Sequence, residues 1–193
     1  MPPDLTKRLA AFKALLLAWN PRINLVSPGD AVNLDRRHIA DSLQLLPLLP
    51  AQGICADLGS GAGFPALVLA AAEPARPWHL VESDRRKAAF LAEAARSMGL
   101  PQVTIHASRI EATTLPPIAA LTARALAPLA ALLVHAERFL GPGGVAIFPK
   151  GRNAEAELTD ALRGWTLRAE RHPSATDADA TILRLSEIAR AGA

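Results

Sequence analysis

Residues 57–65, with the sequence DLGSGAGFP, decide the fold of this chain. The apolar run at residues 54–58 leads into them, and the helix-prone residues 65–72 follow. Glycine has no Cβ, so glycines at every second position allow a tight turn and a close approach of the backbone to a ligand. A strand, a glycine-rich turn and a helix in this order predict the first unit of an α/β sheet with a ligand-binding loop.

Short apolar strands and helices alternate from residue 54 onward. The pattern predicts strands at residues 54–58, 78–81, 103–106, 119–123, 145–148, 167–172 and 181–185. It predicts helices at residues 65–72, 86–98, 126–140 and 152–162. Alternating strands and helices form parallel βαβ units, but only a polar loop separates the last two strands. The sequence therefore predicts an open, doubly wound α/β fold whose seven-stranded sheet is mostly parallel, with an antiparallel hairpin at one edge.

The first 50 residues show helical periodicity and no strand pattern. Apolar side chains at steps of three and four residues predict helices at residues 4–19 and 34–46. Asn20 and Pro21 are expected to end the first helix, because the residue before a proline avoids helical conformation. We therefore divide the chain into an N-terminal helical extension at residues 1–50 and a Rossmann-like domain at residues 51–193.

The glycine spacing discriminates among the ligands that such loops bind. A dinucleotide-binding loop has a glycine where Phe64 stands, and a P-loop has Gly-Lys-Ser/Thr at the helix start, which this chain lacks. The acidic-x-Gly-x-Gly-x-Gly pattern formed by Asp57, Gly59, Gly61 and Gly63 resembles the first motif of class I S-adenosylmethionine-dependent methyltransferases. The resemblance implies that the loop holds the methionine end of this cofactor.

Residues after the next two strands suit the nucleoside part of the same cofactor. Glu82 follows the second strand, about 20 residues after the glycines, where a carboxylate accepts hydrogen bonds from both ribose hydroxyls. The sequence SRIE at residues 108–111 follows the third strand, and the backbone of Ile110 and Glu111 is expected to lie over the adenine. We therefore predict Glu82, Ile110 and Glu111 as further cofactor contacts.

The composition excludes several classes of protein. The single cysteine, Cys55, excludes an internal disulfide framework and a cysteine-based zinc cluster. The five histidines lack the spacing of metal ligands, so no metal site is expected. No apolar run reaches the ~18 residues of a membrane span, and we expect a cytoplasmic protein. The net charge of +3 allows a nucleic-acid partner without requiring one.

The residues around the fourth strand, together with the position of the single cysteine, disfavour two kinds of methylation reaction. The chain reads LTARAL at residues 121–126, so it lacks the Asn/Asp-Pro-Pro-aromatic motif of many enzymes that methylate exocyclic amino groups. Methylation at C5 of a pyrimidine needs a cysteine nucleophile, and Cys55 comes before the end of the first strand, away from the predicted site. Both chemistries are therefore disfavoured.

A series of motifs across residues 12–152 carries a more specific resemblance. They are WNPRINL at residues 19–25, RHIADSL at 37–43, DLGSGAGFP at 57–65, VES at 81–83, FL at 90–91, SRIE at 108–111, TARA at 122–125 and KG at 150–151. This order resembles the ribosomal RNA small subunit methyltransferase G family, also called glucose-inhibited division protein B. The resemblance implies N7 methylation of a guanosine in the decoding-region loop of 16S rRNA. It also implies cofactor contacts at Gly59, Phe64, Ile110, Glu111 and Arg124.

Positive charge is expected at the carboxyl edge of the sheet, where α/β folds bind ligands. Arg124 follows the fourth strand and is assigned to the cofactor carboxylate or to an RNA phosphate. Lys150, after the fifth strand, and Arg36 and Arg37, in the N-terminal helices, are assigned to RNA phosphates. No side chain is assigned as catalytic, because N7 of guanine already carries an in-plane lone pair and needs no general base.

Two other functions remain open from the sequence alone. One is a small-molecule methyltransferase of the same fold, which needs an apolar lid that the basic N-terminal helices do not clearly supply. The other is a non-catalytic RNA-binding assembly factor with a vestigial cofactor pocket, against which the intact glycines and Glu82 argue. The main expectation is a monomeric enzyme that acts on 16S rRNA or on the 30S subunit.

Overall fold

The computed structural model describes residues 2–192 and has a central sheet with helices on both faces. The helices are α1 (Pro3–Ile23), α2 (Pro28–Val32), α3 (Asp41–Leu43), α4 (Ala66–Ala72), α5 (Arg85–Ser97), α6 (Leu129–Phe139) and α7 (Ala154–Ala161). The strands are β1 (Cys55–Leu58), β2 (Trp78–Val81), β3 (Val103–His106), β4 (Ile118–Ala123), β5 (Leu140–Lys150), β6 (Trp165–Pro173) and β7 (Thr181–Arg190). A π-helical turn, Asp35–Ala40, precedes α3, and 3-10 turns lie at Leu46–Leu48 and Ile110–Ala112.

The seven strands form one sheet in the order β3-β2-β1-β4-β5-β7-β6. The first five strands run parallel to one another, whereas β7 pairs antiparallel with both β5 and β6. The predicted seven-stranded, mostly parallel sheet and its antiparallel edge hairpin are therefore confirmed. The strand order reverses direction at β1 and β4, and the carboxyl ends of these two strands form the crevice where α/β sheets bind ligands.

Alternate residues of the strands bury opposite faces of the sheet in two hydrophobic clusters. On one face, Trp78 and Ile147 pack with residues of α1, α4 and α5. On the other face, Phe148 and Leu121 pack with α6 and α7. A parallel sheet that is covered on both faces needs such nearly continuous apolar strands.

Helix α1 packs in the same core as α4 and α5. Its side chains at Leu5, Leu9, Phe12 and Leu16 are buried, and the Phe12 ring lies 5.2 Å from the ring of Phe64, measured between centroids. The helical extension therefore shares its core with the Rossmann-like domain. Among residues 2–192, no helix is long and apolar enough to cross a membrane.

The N-terminal helices differ in detail from the sequence prediction. Helix α1 continues through Pro21 to Ile23, so the predicted stop at Asn20 and Pro21 is wrong. The Asn20 side chain accepts hydrogen bonds from the backbone N–H groups of Leu25 and Val26, so it secures the turn that follows the helix. The second predicted helix, at residues 34–46, is divided into the π-helical turn and short α- and 3-10-helical pieces.

Candidate functional site

The glycine loop, residues 59–65, joins β1 to α4. Its middle glycine, Gly61, faces open space. Gly61 has a φ of +52°, and a Cβ built on it would meet only the Gly59 carbonyl oxygen, at 3.7 Å. A Cβ on Gly63 would lie 2.6 Å from Leu67 Cδ1, so packing against α4 explains the glycine there. A Cβ on Gly59 would lie 2.7 Å from Leu126 Cδ1. Of the three glycines of the loop, Gly61 therefore leaves the clearest room for a ligand.

Glu82, at the end of β2, is tied directly to the glycine loop. Its Oε2 accepts a hydrogen bond from the Gly61 backbone N–H at 2.8 Å, and its Oε1 accepts one from the Asp84 N–H, also at 2.8 Å. These bonds fix the orientation of the carboxylate, and each oxygen keeps a second lone pair. An oriented carboxylate beside an open glycine can accept hydrogen bonds from hydroxyl groups, and the assignment of Glu82 to the ribose of S-adenosylmethionine stays a prediction.

Asp57 lies behind the loop in the sheet. Its carboxyl is buried, and Oδ1 accepts a hydrogen bond from the Thr122 hydroxyl at 2.6 Å. Oδ2 has no hydrogen-bond partner among residues 2–192. Burial raises the pKa of Asp57 to about 7, opposed by the hydrogen bonds of Thr122 and Ser60 and by the positive charge of Arg124. Asp57 therefore ties β1 to β4 within the core, at the point where the loop begins.

Ile110 and Glu111 occupy the 3-10 turn that follows β3. The guanidinium of Arg138, on α6, donates hydrogen bonds to the carbonyl oxygens of Ile110 and Glu111 at 3.2 and 3.1 Å. A further bond from Arg138 to the Thr113 carbonyl, at 2.7 Å, holds the end of the turn. The position of this turn is thus set by α6, and Arg138 is a residue that the sequence analysis did not single out.

A cavity of about 1200 Å³ opens at the carboxyl ends of β4 and β5, beside the glycine loop. It collects the four predicted basic residues, which are Arg36, Arg37, Arg124 and Lys150. It also contains acidic side chains that the prediction did not include, namely Asp30, Asp41, Glu157 and Asp177. The predicted cofactor residues other than Arg124 do not line this cavity. The site therefore has two neighbouring parts, a glycine loop with Glu82 and a charged cavity.

Arg124 connects the two parts of the site. Its guanidinium carbon lies 5.4 Å from the centroid of the Phe64 ring, and its Nη1 lies 3.3 Å from Asp41 Oδ2. Asp41 Oδ1 accepts hydrogen bonds from the Thr176 hydroxyl and the Gln44 amide. Asp41 therefore positions Arg124 and ties it to the loop between β6 and β7, a contact that the sequence analysis did not predict.

Lys150 is less exposed than the prediction of an RNA contact suggested. Its Nζ donates to Glu157 Oε2 at 2.8 Å and to the Ala127 carbonyl at 2.9 Å, and its side chain is only 10% exposed. The same Glu157 oxygen accepts the Leu129 N–H at the start of α6. A phosphate that binds Lys150 therefore competes with Glu157 for its ammonium group.

Arg36 and Arg37 lie on the exposed side of the π-helical turn. Arg37 Nε pairs with Asp30 at 2.9 Å while its side chain stays 65% exposed. Arg36 is exposed and forms no ion pair with any residue in the range 2–192. Both guanidinium groups are therefore accessible from the cavity mouth.

Cys55 is fully buried in β1, and burial raises the pKa of its thiol to about 11. A neutral, inaccessible thiol is a poor nucleophile. Over the part of the chain that the structure describes, no three His, Cys, Asp or Glu side chains gather in an arrangement that could hold a metal ion.

A family model described as rRNA small subunit methyltransferase G matches residues 5–183. Among the curated relatives, the ribosomal RNA small subunit methyltransferase G of Rhodospirillum centenum is 55% identical, over 96% of this chain and 85% of that protein. The protein of the same name from Acidiphilium cryptum is 56% identical, over 95% of this chain and 85% of that protein. These matches extend over the helical extension as well as the sheet.

A solved structure supports the fold. The crystal structure of M. jannaschii TYW2 in complex with AdoMet matches with a TM-score of 0.62 and 13% sequence identity, over 79% of this chain and 76% of that one. At this identity the likeness concerns the arrangement of strands and helices alone.

Proposed function

Because the chain belongs to the rRNA small subunit methyltransferase G family, we propose that it transfers a methyl group from S-adenosylmethionine to N7 of a guanosine in the decoding-region loop of 16S rRNA. The observation that carries this proposal is the contact between Gly61 and Glu82 at 2.8 Å, next to a cavity that holds four basic side chains. A cofactor cleft therefore adjoins a surface that is suited to RNA.

The cofactor is assigned to the loop side of the site. Gly59 and Gly61 provide backbone without side chains for the methionine end, and Glu82 binds the ribose hydroxyls. Ile110 and Glu111, on the turn held by Arg138, contact the adenine. Gly63, Phe64 and Asp57 are assigned to maintaining the conformation of the loop. Gly63 packs against Leu67, and the Phe64 ring stacks on His38. Asp57 accepts a hydrogen bond from the Thr122 hydroxyl.

The RNA is assigned to the charged cavity. Arg36 and Arg37 are exposed and suit phosphate groups, and Lys150 reaches a phosphate in exchange for Glu157. The acidic residues of the cavity keep the free site from having a uniformly positive wall. Arg37, Arg124 and Lys150 are each paired with one of them and exchange this partner for the RNA. Such exchange favours a specific backbone path over nonspecific adhesion.

When bound, S-adenosylmethionine supplies an electrophilic methyl group on a sulfonium. N7 of guanine attacks with its in-plane lone pair, so no side chain has to remove a proton. The protein contributes orientation and the exclusion of water. Arg124 is assigned to the cofactor carboxylate or to a phosphate rather than to the ring, because the base gains positive charge in the reaction.

Attack by a cysteine is not part of this reaction, which the burial of Cys55 supports. We expect Cys55→Ser to leave turnover essentially intact. We propose that the enzyme acts as a monomer, and its ribosomal substrate implies action in the cytoplasm.

The decisive experiment is methyl transfer from labelled S-adenosylmethionine to 30S subunits and to free 16S rRNA from cells that lack this protein. Label at a single guanosine N7 in the decoding-region loop supports the proposal. Label on an exocyclic amine, on carbon or on small molecules alone contradicts it. Cofactor binding without any transfer to RNA would instead favour a non-catalytic assembly factor.

A further inference from the structure

His38 lies where the two parts of the site meet. It belongs to the π-helical turn Asp35–Ala40, which widens the helix at this point. Its ring stacks on Phe64 of the glycine loop, with 4.6 Å between centroids and an interplanar angle of 17°. The Phe64 ring also contacts the Phe12 ring in the core and the Arg124 guanidinium at the cavity. His38 is thus held flat against the loop, and it lines the cavity.

The two ring nitrogens of His38 are unsatisfied within the part of the chain that the structure describes. Nδ1 and Nε2 are both shielded from water, and neither has a hydrogen-bond partner among residues 2–192. By comparison, His79 Nδ1 lies 2.8 Å from His106 Nε2, so those two rings satisfy each other. A buried polar group without a partner costs free energy, and in a native protein it calls for an explanation such as a missing ligand.

The charges around His38 favour its neutral form. Burial lowers the pKa of His38 below its ordinary value, and the positive charges of Arg124 and Arg37 lower it further. Asp30 and Asp41 oppose this shift. A neutral imidazole offers one N–H donor and one acceptor, and it places no positive charge near a base that becomes cationic.

We propose that His38 is a specificity-determining residue whose imidazole N–H donates a hydrogen bond to O6 of the target guanine. This inference rests on the proposed function. Guanine and adenine both carry N7, but the neighbouring position is an acceptor in guanine and an amino donor in adenine. An N–H group that faces this position forms a hydrogen bond with O6 of guanine. With adenine, the same N–H group faces the amino group, which is also a donor, so no hydrogen bond forms.

Entry of the base requires a small movement of the cavity wall, because the ring nitrogens are covered. We assign this movement to the connection after β4, which lines the same cavity. Ala125 has a φ of +51°, which is strained for a residue with a side chain, and Leu126 beside it is 38% exposed. Both line the cavity with His38. The hydrogen bond to O6 offsets the cost of the movement.

The test combines variants of His38 with altered bases in the RNA. His38→Phe keeps a ring to stack on Phe64 and removes both nitrogens, whereas His38→Asn and His38→Gln keep an amide N–H. His135→Phe, on α6 and outside the cavity, is the matched control. Each variant receives RNA with guanine, 2-aminopurine, which lacks O6, or inosine, which keeps O6, at the target position.

We expect 2-aminopurine to lower kcat/KM of the parent enzyme about 10- to 100-fold, and inosine to be tolerated better. His38→Phe should show a similar loss with guanine and no further loss with 2-aminopurine, with the Kd for S-adenosylmethionine unchanged. His38→Asn or His38→Gln should recover part of the loss, and His135→Phe should match the parent.

The inference is overturned if His38→Phe and His38→Gln both keep the parent kcat/KM. It is also overturned if His38→Phe with 2-aminopurine loses the product of the two separate fold-losses in kcat/KM. In either case, a parent enzyme that still labels guanosine N7 leaves the proposed function standing. A parent enzyme that labels no guanosine N7 contradicts the proposed function itself.

Discussion

Gly61 and Gly99 share a left-handed backbone but differ in what their missing side chains face. Gly61 has a φ of +52° and lies in the glycine loop, whereas Gly99 has a φ of +65° and follows α5. Neither added Cβ would clash with the protein, since the nearest atom to it is 3.7 Å away at Gly61 and none lies within 4 Å at Gly99. Substitutions at Gly99 therefore report backbone strain alone, whereas substitutions at Gly61 report backbone strain together with the loss of space for a ligand.

We expect Gly61→Ala and Gly99→Ala to lower the free energy of unfolding by a similar amount, about 1 kcal/mol. Only Gly61→Ala should raise the Kd for S-adenosylmethionine, by at least about tenfold, and the bulkier Gly61→Val should abolish most of the binding. Isothermal calorimetry on both variants checks this. Unchanged affinity in Gly61→Val, or comparable binding of NAD, contradicts the assignment of the loop.

Asp57 predicts a dependence of stability on pH. Its pKa is raised to about 7 in the folded protein, against 3.8 ordinarily, so between these values the folded state holds a proton that the unfolded state has lost. The contribution of this group to stability is therefore greatest below pH 4 and decreases as the pH rises towards 7. In Asp57→Asn this dependence is absent.

The free energy of unfolding of Asp57→Asn, relative to the parent, should accordingly rise between pH 4 and pH 8, by on the order of 1–4 kcal/mol. Denaturant unfolding at both pH values measures the difference. A difference that does not change with pH would mean that Asp57 is ionised throughout this range.

At the scale of elements, Lys150 links β5 to α7 and to the connection before α6. We expect Lys150→Ala to lower the free energy of unfolding by about 1–3 kcal/mol, because Glu157 loses a nearly buried partner. It should also weaken RNA binding and flatten the logarithmic salt slope by about one unit, and leave cofactor affinity nearly unchanged.

Arg36→Ala is the companion variant, since it removes an exposed cation without breaking an ion pair of the described chain. It should flatten the slope similarly and leave stability within about 0.5 kcal/mol of the parent. RNA titrations at several salt concentrations give the slopes. A Lys150→Ala protein with the parent slope and turnover would restrict Lys150 to its structural contact with Glu157.

The contribution of helix α1 to the core can be tested with two of its side chains, one buried and one exposed. Phe12 is completely buried against Phe64 and Phe90, whereas Leu17 is 47% exposed. We expect Phe12→Ala to cost about 3–5 kcal/mol and Leu17→Ala less than about 1 kcal/mol. Phe12→Ala should also weaken cofactor binding through Phe64. Equal effects in thermal unfolding would show that α1 contributes no core.

At the scale of the whole molecule, the shared core predicts one cooperative unit. The cluster that contains Phe12 and Leu16 continues through α4 and α5 to strand residues such as Ile147. We therefore propose that residues 1–50 and 51–193 unfold together in a single transition. Calorimetry should give equal calorimetric and van't Hoff enthalpies. Two resolved transitions would instead establish an independently folded extension.

The sequence by itself determined the order of strands and helices, the glycine loop and the position of Glu82. These features arise from local rules, because burial alternates along a strand, apolar residues recur along a helix, and only glycine adopts the loop conformation readily. The loop and Glu82 could be related because both follow strands of a parallel sheet, whose carboxyl ends meet at one edge.

Only the tertiary structure decided which side chains of the cavity pair with one another. The hydrogen bond from Thr176 to Asp41 joins residues 135 positions apart, and no local pattern encodes such a contact. The pairing of Lys150 with Glu157 and the stack of His38 on Phe64 likewise depend on how α7 and the π-helical turn pack. Periodicity specifies which face of an element is buried, but the partner of a polar side chain is set by the packing of whole elements, which depends on the sum of many distant contacts.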